Sequence, residues 1–257
     1  MIGLFVILAA VGSLLSLRGS SRTMTSSAAL EQQATLAMLQ IGQQITQAGA
    51  INAFLEGNGP DAGADAAAPA YTEGNPLVRF DIRPIGVSAD TADQRLSTLA
   101  VFGTGGAGSD TFSVSYAAPN DGSPAGSCSG PQAKRLAGGA ARLVSTFAVD
   151  NASHSLLCSQ DPHDASGGAF HAAANVAEMR VSYLSVSDGG NVMYYPGAAD
   201  VTDWSAINAV QVCLEMMGEY TQAGQQTLAE DCQGQSKTVN DGRLHHIVRG
   251  TFYLRNS

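Results

Sequence analysis

Three short stretches hold residue types that could do chemistry. In "FGTGGAGSDTFSVSY" the residues Gly103, Gly105 and Gly108 have the G-x-G-x-x-G spacing of a dinucleotide-binding turn. That turn must open a helix whose first N–H groups face a pyrophosphate. Here Asp110 leads into an alternating strand pattern, so a Gly-rich connection between strands is expected. "PAGSCSGP" sets Cys128 in a Gly-Ser-Cys-Ser-Gly elbow, a geometry that would expose a nucleophilic thiol. Pro124 and Pro131 bracket it and no helix pattern follows, while the base it needs would have to come from His154, His163 or His171. The adjacent pair His245-His246 looks like a metal pair, but neighbours on a strand point to opposite faces and do not easily share one ion. Asp161, His163 and Asp164 sit in a polar loop, and Asp188 to Asn191 reads as a hairpin turn without the spaced oxygen ligands of a calcium loop. Asn151-Ala152-Ser153 fits a glycosylation sequon, a tripeptide that arises easily by chance. No catalytic, cofactor-binding or metal site is therefore expected, and the chain is expected not to be an enzyme.

Cys128, Cys158, Cys213 and Cys232 make an even set without Cys-x-x-Cys spacing. Two disulfides are expected; three connectivities exist, and pairing in chain order closes the shortest loops. Each bridge would stabilise by about 3 kcal/mol.

The elements that must hold these residues follow from patterning. From Ile2 to Leu17 the chain is an apolar run that no charge interrupts before Arg18. No basic residue precedes it, which argues against a secretory signal peptide. Beyond it, Leu30, Ala34, Ala37, Met38, Ile41, Ile45 and Ala48 recur at three and four residues, while Glu31, Gln32, Gln40, Gln43 and Gln44 fall mostly on the other side. One helix over residues 1–54 is expected, apolar all round in residues 1–17 and amphipathic afterwards; two helices joined at Gly19 to Ser27 are the alternative. Residues 55–257 would form a globular, β-rich head. "EGNGPDAGADAAAPA" reads as a loop, and strands are expected at Leu77 to Ile85, Ser97 to Phe102, Thr111 to Tyr116, Arg142 to Val149, Ser155 to Cys158, Val176 to Val186, Val192 to Tyr195, Ile207 to Met216 and Leu244 to Leu254. The fold class is α+β, a long helix laid on an antiparallel sheet with extended loops. Leu30, Ile41 and Ile45 are the expected helix-sheet core.

Charge narrows the partners. Thirteen Lys and Arg against 22 Asp and Glu give a formal charge of -9, with no basic stripe to neutralise a phosphate backbone, so nucleic acid is not expected as a partner.

In this order the features resemble the PilW-type minor pilins of bacterial type IV pili, over most of the chain. The carriers are the N-terminal run through "LQIGQQITQAGA" with its closing Gln-Ala-Gly, then "VAEMRVSYLSV", "VTDWSAINAVQVCLEMM" and "DGRLHHIVRGTFYLRN". The resemblance implies a structural subunit that joins other minor pilins in a complex priming pilus assembly near the filament tip. Ile2, Leu4, Phe5, Val6, Ile7, Leu8, Val11, Leu14, Leu15 and Leu17 would hold the chain in the inner membrane, head in the periplasm, and afterwards pack among the helices of other minor pilins and the major pilin. The inner-membrane assembly platform is a further implied partner, and the assembled filament is extracellular. Motive energy would come from separate ATPases, since the chain has no Walker A motif. The family's basic leader and its Phe-Thr-Leu-x-Glu start do not precede Met1, which implies either a chain that begins just inside the mature helix or a divergent subunit without that Glu.

Two other readings share these features. A minor pseudopilin of a type II secretion system has the same helix-and-sheet plan. A membrane-anchored adhesin would use the loops Glu56 to Ala70 or Pro119 to Lys134 to hold a surface ligand.

Overall fold

A computed structural model describes residues 2–49, 53–55, 78–80, 99–106, 108–117, 126–128, 134–135, 141–160, 169–187, 189–219 and 227–254, with helix side chains from Thr25 onward. The chain opens with α1 (Ile2–Gln47), 46 residues and roughly 70 Å long. It runs unbroken through Gly19 to Ser27, so one helix and not two forms the stem.

The helix ends seven residues before the expected Phe54. Gly49 adopts φ +75, a left-handed conformation that stops an α-helix, and donates its N–H to the Ser115 carbonyl at 2.9 Å. That bond turns the chain end onto the sheet. Phe54 lies instead in β1 (Ala53–Leu55), paired antiparallel with β2 (Val78–Phe80). The stretch 56–70 is outside the described residues.

Among the described residues the head holds two sheets and not one, with smaller two-stranded ribbons. The larger sheet holds β3 (Val101–Thr104), β4 (Thr111–Ala117), β6 (Ala141–Asp150), β7 (Ser155–Ser159) and β8 (Phe170–Ala174) in that order, and β5 (Lys134–Arg135) pairs with the start of β6 on the edge away from β4. The other sheet has the order β10 (Val192–Tyr195), β9 (Val176–Val186), β11 (Ile207–Met217) and β14 (His245–Tyr253). Between β11 and β14 in the chain, β12 (Thr227–Glu230) and β13 (Ser236–Val239) form a separate two-stranded ribbon. All these pairings are antiparallel.

Strands rich in β-branched and aromatic alternation lie close to their expected bounds. The first strand of the larger sheet does not: Leu99 and Ala100 precede it, and β3 continues two residues past Phe102. β8, β12 and β13 were not expected, because "FHAAA", "TLAE" and "SKTV" lack a clear apolar alternation. Pairing to β7 and to each other creates them.

One core joins the helix to both sheets. Leu30, Ala34, Ala37, Met38, Ile41, Ile45 and Ala48 are buried with Phe112 and Phe147 of one sheet and Tyr183, Val212 and Leu214 of the other. The helix touches β14 and β11 on one side and β8 and β4 on the other. Full burial of Ile41 and Ile45 stabilises by roughly 1.5 to 3 kcal/mol each.

Gln44 corrects the amphipathic reading, since it is buried among these apolar residues and not on the outer side. It lies three positions after Ile41 and next to Ile45, inside the buried stripe. Its amide oxygen accepts from the Ser145 hydroxyl at 2.7 Å, which in turn accepts from the Cys128 N–H at 3.1 Å. A paired amide is tolerated there where an unpaired one would cost several kcal/mol, about 2 or more.

Candidate functional site

Of the residues singled out for chemistry, the four cysteines are joined in disulfides and the Gly-rich stretch links two strands. Cys128 is bonded to Cys158 and Cys213 to Cys232, with Cα atoms 6.1 and 5.8 Å apart, the pairing in chain order. Neither sulfur of the Gly-Ser-Cys-Ser-Gly elbow pair is a free thiol. The first bridge ties the segment before β5 to buried Cys158 on β7, next to the Gln44–Ser145 contact with the helix.

The Gly-rich stretch connects β3 to β4, and no helix follows it. Its residues close the edge of β9 that β10 leaves uncovered. Asp110 donates its N–H to the Met179 carbonyl at 2.8 Å and accepts from the Val181 N–H at 2.9 Å, while the Ser109 hydroxyl accepts from the Met179 N–H at 2.8 Å. Arg180 reaches Asp110 at 3.3 Å and also bonds Glu178. An edge that would otherwise offer free backbone groups is thereby paired. Gly103 leaves room for the Tyr183 hydroxyl, which a side chain there would strike. Tyr183 also meets Trp204 edge to face at 4.8 Å, and Trp204 meets Phe102 at 5.0 Å.

On the face of the β9–β11–β14 sheet away from the helix, buried charge is concentrated. Glu215 stands near the C-terminal end of β11 with its side chain 1% exposed. It accepts from Lys237 of β13 at 2.6 Å and meets Nδ1 of His245 of β14 at 2.7 Å. The other ring nitrogen of His245, Nε2, lies 2.9 Å from the Asp241 carboxylate in the turn before β14. Burial pushes the Glu215 carboxyl up, but hydrogen bonds from His245 and Lys237 and their charges outweigh it and hold the group below the usual carboxylate range. Asp241 is likewise held low: burial raises it, and the Arg243 N–H, His245 and nearby positive charge more than offset that. His245 is raised, first by its bond to Glu215 and, against the opposing effect of burial, by Asp241.

The ribbon of β12 and β13 covers this cluster. It is tied to the sheet by Cys213–Cys232, by Lys237 to Glu215, and by Arg249 to Glu230 at 2.9 Å. The cluster is a line of hydrogen bonds, and among the described residues no group of three or more His, Cys, Asp or Glu is placed to hold a metal ion. His246 is exposed, away from its neighbour. Glu215 is the residue that sequence reading missed; the signal was one carboxylate inside the otherwise apolar run "VCLEMM".

Among the described residues, large apolar side chains are exposed on the helix and on the β9–β10 hairpin, among other places. The helix turns Leu36 and Leu39 outward, each 57% exposed, opposite the stripe of Ile41 and Ile45. The β9–β10 hairpin exposes Val186, Val192, Met193 and Tyr194.

Leu30, Ile41 and Ile45 are at most 3% exposed in the seam between helix and sheets. The packing residues Ile2, Leu4, Phe5, Val6, Ile7, Leu8, Val11, Leu14, Leu15 and Leu17 lie outside the described side chains. Among the described residues, no helix is long and apolar enough to cross a membrane. Of the proposed ligand loops, 56–70 is outside the described residues and only Gly126 to Cys128 and Lys134 of the second are within them; His163 and Asp188 are also outside.

No family model matches the chain, and neither does any curated protein. Among solved structures the chain is similar to a type IV-like pilin from Thermus thermophilus, at 13% identity over 64% of this chain and 90% of that one, with a TM-score of 0.37. A superposition that loose leaves the functional reading to the residues themselves.

Proposed function

We propose that this chain is a non-enzymatic structural subunit of PilW-type minor-pilin character, joining other minor pilins to prime type IV pilus assembly near the filament tip. One observation carries the reading: a single helix buries one stripe in its own head and presents Leu36 and Leu39 on the opposite side. A stem that served only its own head would need no leucines outward at i and i+3; a stem that packs among other helices would. The apolar run Ile2 to Leu17 extends the same helix. A helix apolar all round is stable only when buried, in lipid before assembly or among subunit helices afterwards. In this reading the run anchors the chain in the inner membrane with its head in the periplasm, and the filament later carries it outside the cell. Its partners are other minor pilins, the major pilin and the inner-membrane assembly platform.

The test is recovery of the native, epitope-tagged protein from sheared filaments and from membranes, with its co-purifying proteins identified. Recovery with pilins in the sheared fraction is expected. Recovery from membranes alone, without pilins, overturns the proposal.

A further inference from the structure

His245 is wedged between two carboxylates. Its Nδ1 lies 2.7 Å from Oε1 of Glu215 and its Nε2 lies 2.9 Å from Oδ2 of Asp241, and the ring is only 5% exposed. A carboxylate oxygen accepts hydrogen bonds and has none to donate, so each ring nitrogen must carry a proton for both contacts to hold. A neutral imidazole has one N–H and can satisfy only one of them. The geometry therefore requires the imidazolium form.

The two contacts are unequal in their surroundings. Glu215 is buried and also held by Lys237, whereas the Asp241 side chain is 38% exposed. If the ring loses one proton, the remaining N–H goes to the carboxylate that cannot be hydrated, which is Glu215. Asp241 then faces a bare nitrogen lone pair and turns to water. The turn it belongs to joins β13 to β14, with Gly242 at φ +70, Arg243 reaching the Met217 sulfur, and the Leu244 carbonyl accepting from the Gly218 N–H at 2.7 Å.

We propose that His245 is a proton-operated clasp: as the imidazolium it fastens the Asp241 turn onto the outer face of the sheet, and as the neutral ring it releases the turn. The charged groups around it are Glu215 on β11, Lys237 on β13, and Asp241 and Arg243 in the turn, with Glu178 on β9 opposite Glu215 in the strand register. Glu178 is itself bonded to Arg180.

The sign follows from the direction of each shift. His245 is raised, so its contribution is complete below the ordinary histidine value of about 6.5 and is lost as pH rises through the raised value. Glu215 and Asp241 are lowered, so theirs is complete above about 4.3 and is lost only as pH falls through the lowered values. The clasp is closed between these limits and opens on the alkaline side.

The experiment uses the full chain in detergent with 15N-labelled histidine. Both ring nitrogens of His245 should show imidazolium shifts at pH 6, and the ring should convert only above the free-histidine midpoint. In parallel, trypsin cleavage after Arg243 in the turn is followed from pH 6.5 to 9 and normalised at each pH to an unstructured peptide holding the same site. Cleavage should rise at least tenfold through the His245 midpoint, and in Asp241→Ala, which removes the acceptor, it should start high and stay level. A ring that titrates at or below the free-histidine midpoint, or a titrating ring with no change in cleavage, overturns the proposal; the titration needs no variant and so stands even if Asp241→Ala does not fold. Neither readout depends on whether the chain enters a filament.

Discussion

Gly42 on α1 lies so close under the ring of Phe252 on β14 that a Cβ there would stand 2.5 Å from Cε1 and 2.8 Å from Cδ1. Gly250, two residues before Phe252, leaves space on the other side, where a Cβ would come within 2.9 Å of Cζ. The ring is thus seated between two positions without side chains, and this lets the helix approach β14. Gly42→Ala gains about 1 kcal/mol of helix propensity but overpacks the seam, at a cost of about 1 to 3 kcal/mol. The net change is expected to be destabilising, and Gly42→Val more so. Urea unfolding of Gly42→Ala in the wild-type and Phe252→Leu backgrounds checks it: the penalty should shrink once the ring is smaller.

Removing Cys213–Cys232 by a double change to Ser should cost about 3 kcal/mol by loop entropy, the partners being 19 positions apart in the chain. The loss should be local first. Hydrogen exchange is expected to quicken in β12 and β13 while β9 and β11, central in their sheet, stay protected. Equal acceleration across the sheet would show that the ribbon is not a separate unit.

Acid should weaken the fold at several points together. Besides Glu215 and Asp241, Asp150 is held low by the Ser153 hydroxyl and the Ala152 N–H, and Asp203 by the Ser205 hydroxyl and N–H. Each contributes stability above its unfolded value that is lost as pH falls through its lowered folded value, and His245 acts in the reverse sense on the alkaline side. The urea midpoint is therefore expected to peak between mildly acidic and neutral pH. A midpoint still climbing at pH 9 would contradict the histidine arm.

Asp110→Ala uncovers the edge of β9 by leaving the Val181 N–H without its acceptor. A loss of about 1 to 3 kcal/mol is expected. Asp110→Asn keeps an acceptor and should cost less, a difference that thermal melts of the two variants would resolve.

Leu36→Gln and Leu39→Gln alter exposed positions, so the stability of the isolated protein should change by no more than about 0.5 kcal/mol. In the proposed filament role the double variant should nevertheless fall several-fold in the sheared fraction. Normal incorporation would remove the helix's outer face from the argument.

The local chemistry of the sequence was enough to determine the stem, its buried stripe and most strand positions. Residue spacing at 3.6 or 2 is a short-range property, and Leu30, Ile41 and Val181 report it directly. The helix end was written in Gly49, yet its position depends on the bond to Ser115, a residue 66 positions along the chain. Only the tertiary structure decided that the strands divide into two sheets, that Gln44 enters the core, and that Glu215, Lys237, Asp241 and His245 converge. Those outcomes depend on which strand edge meets which, and on whether a buried polar atom finds its partner. Both are long-range conditions that no window of neighbouring residues contains.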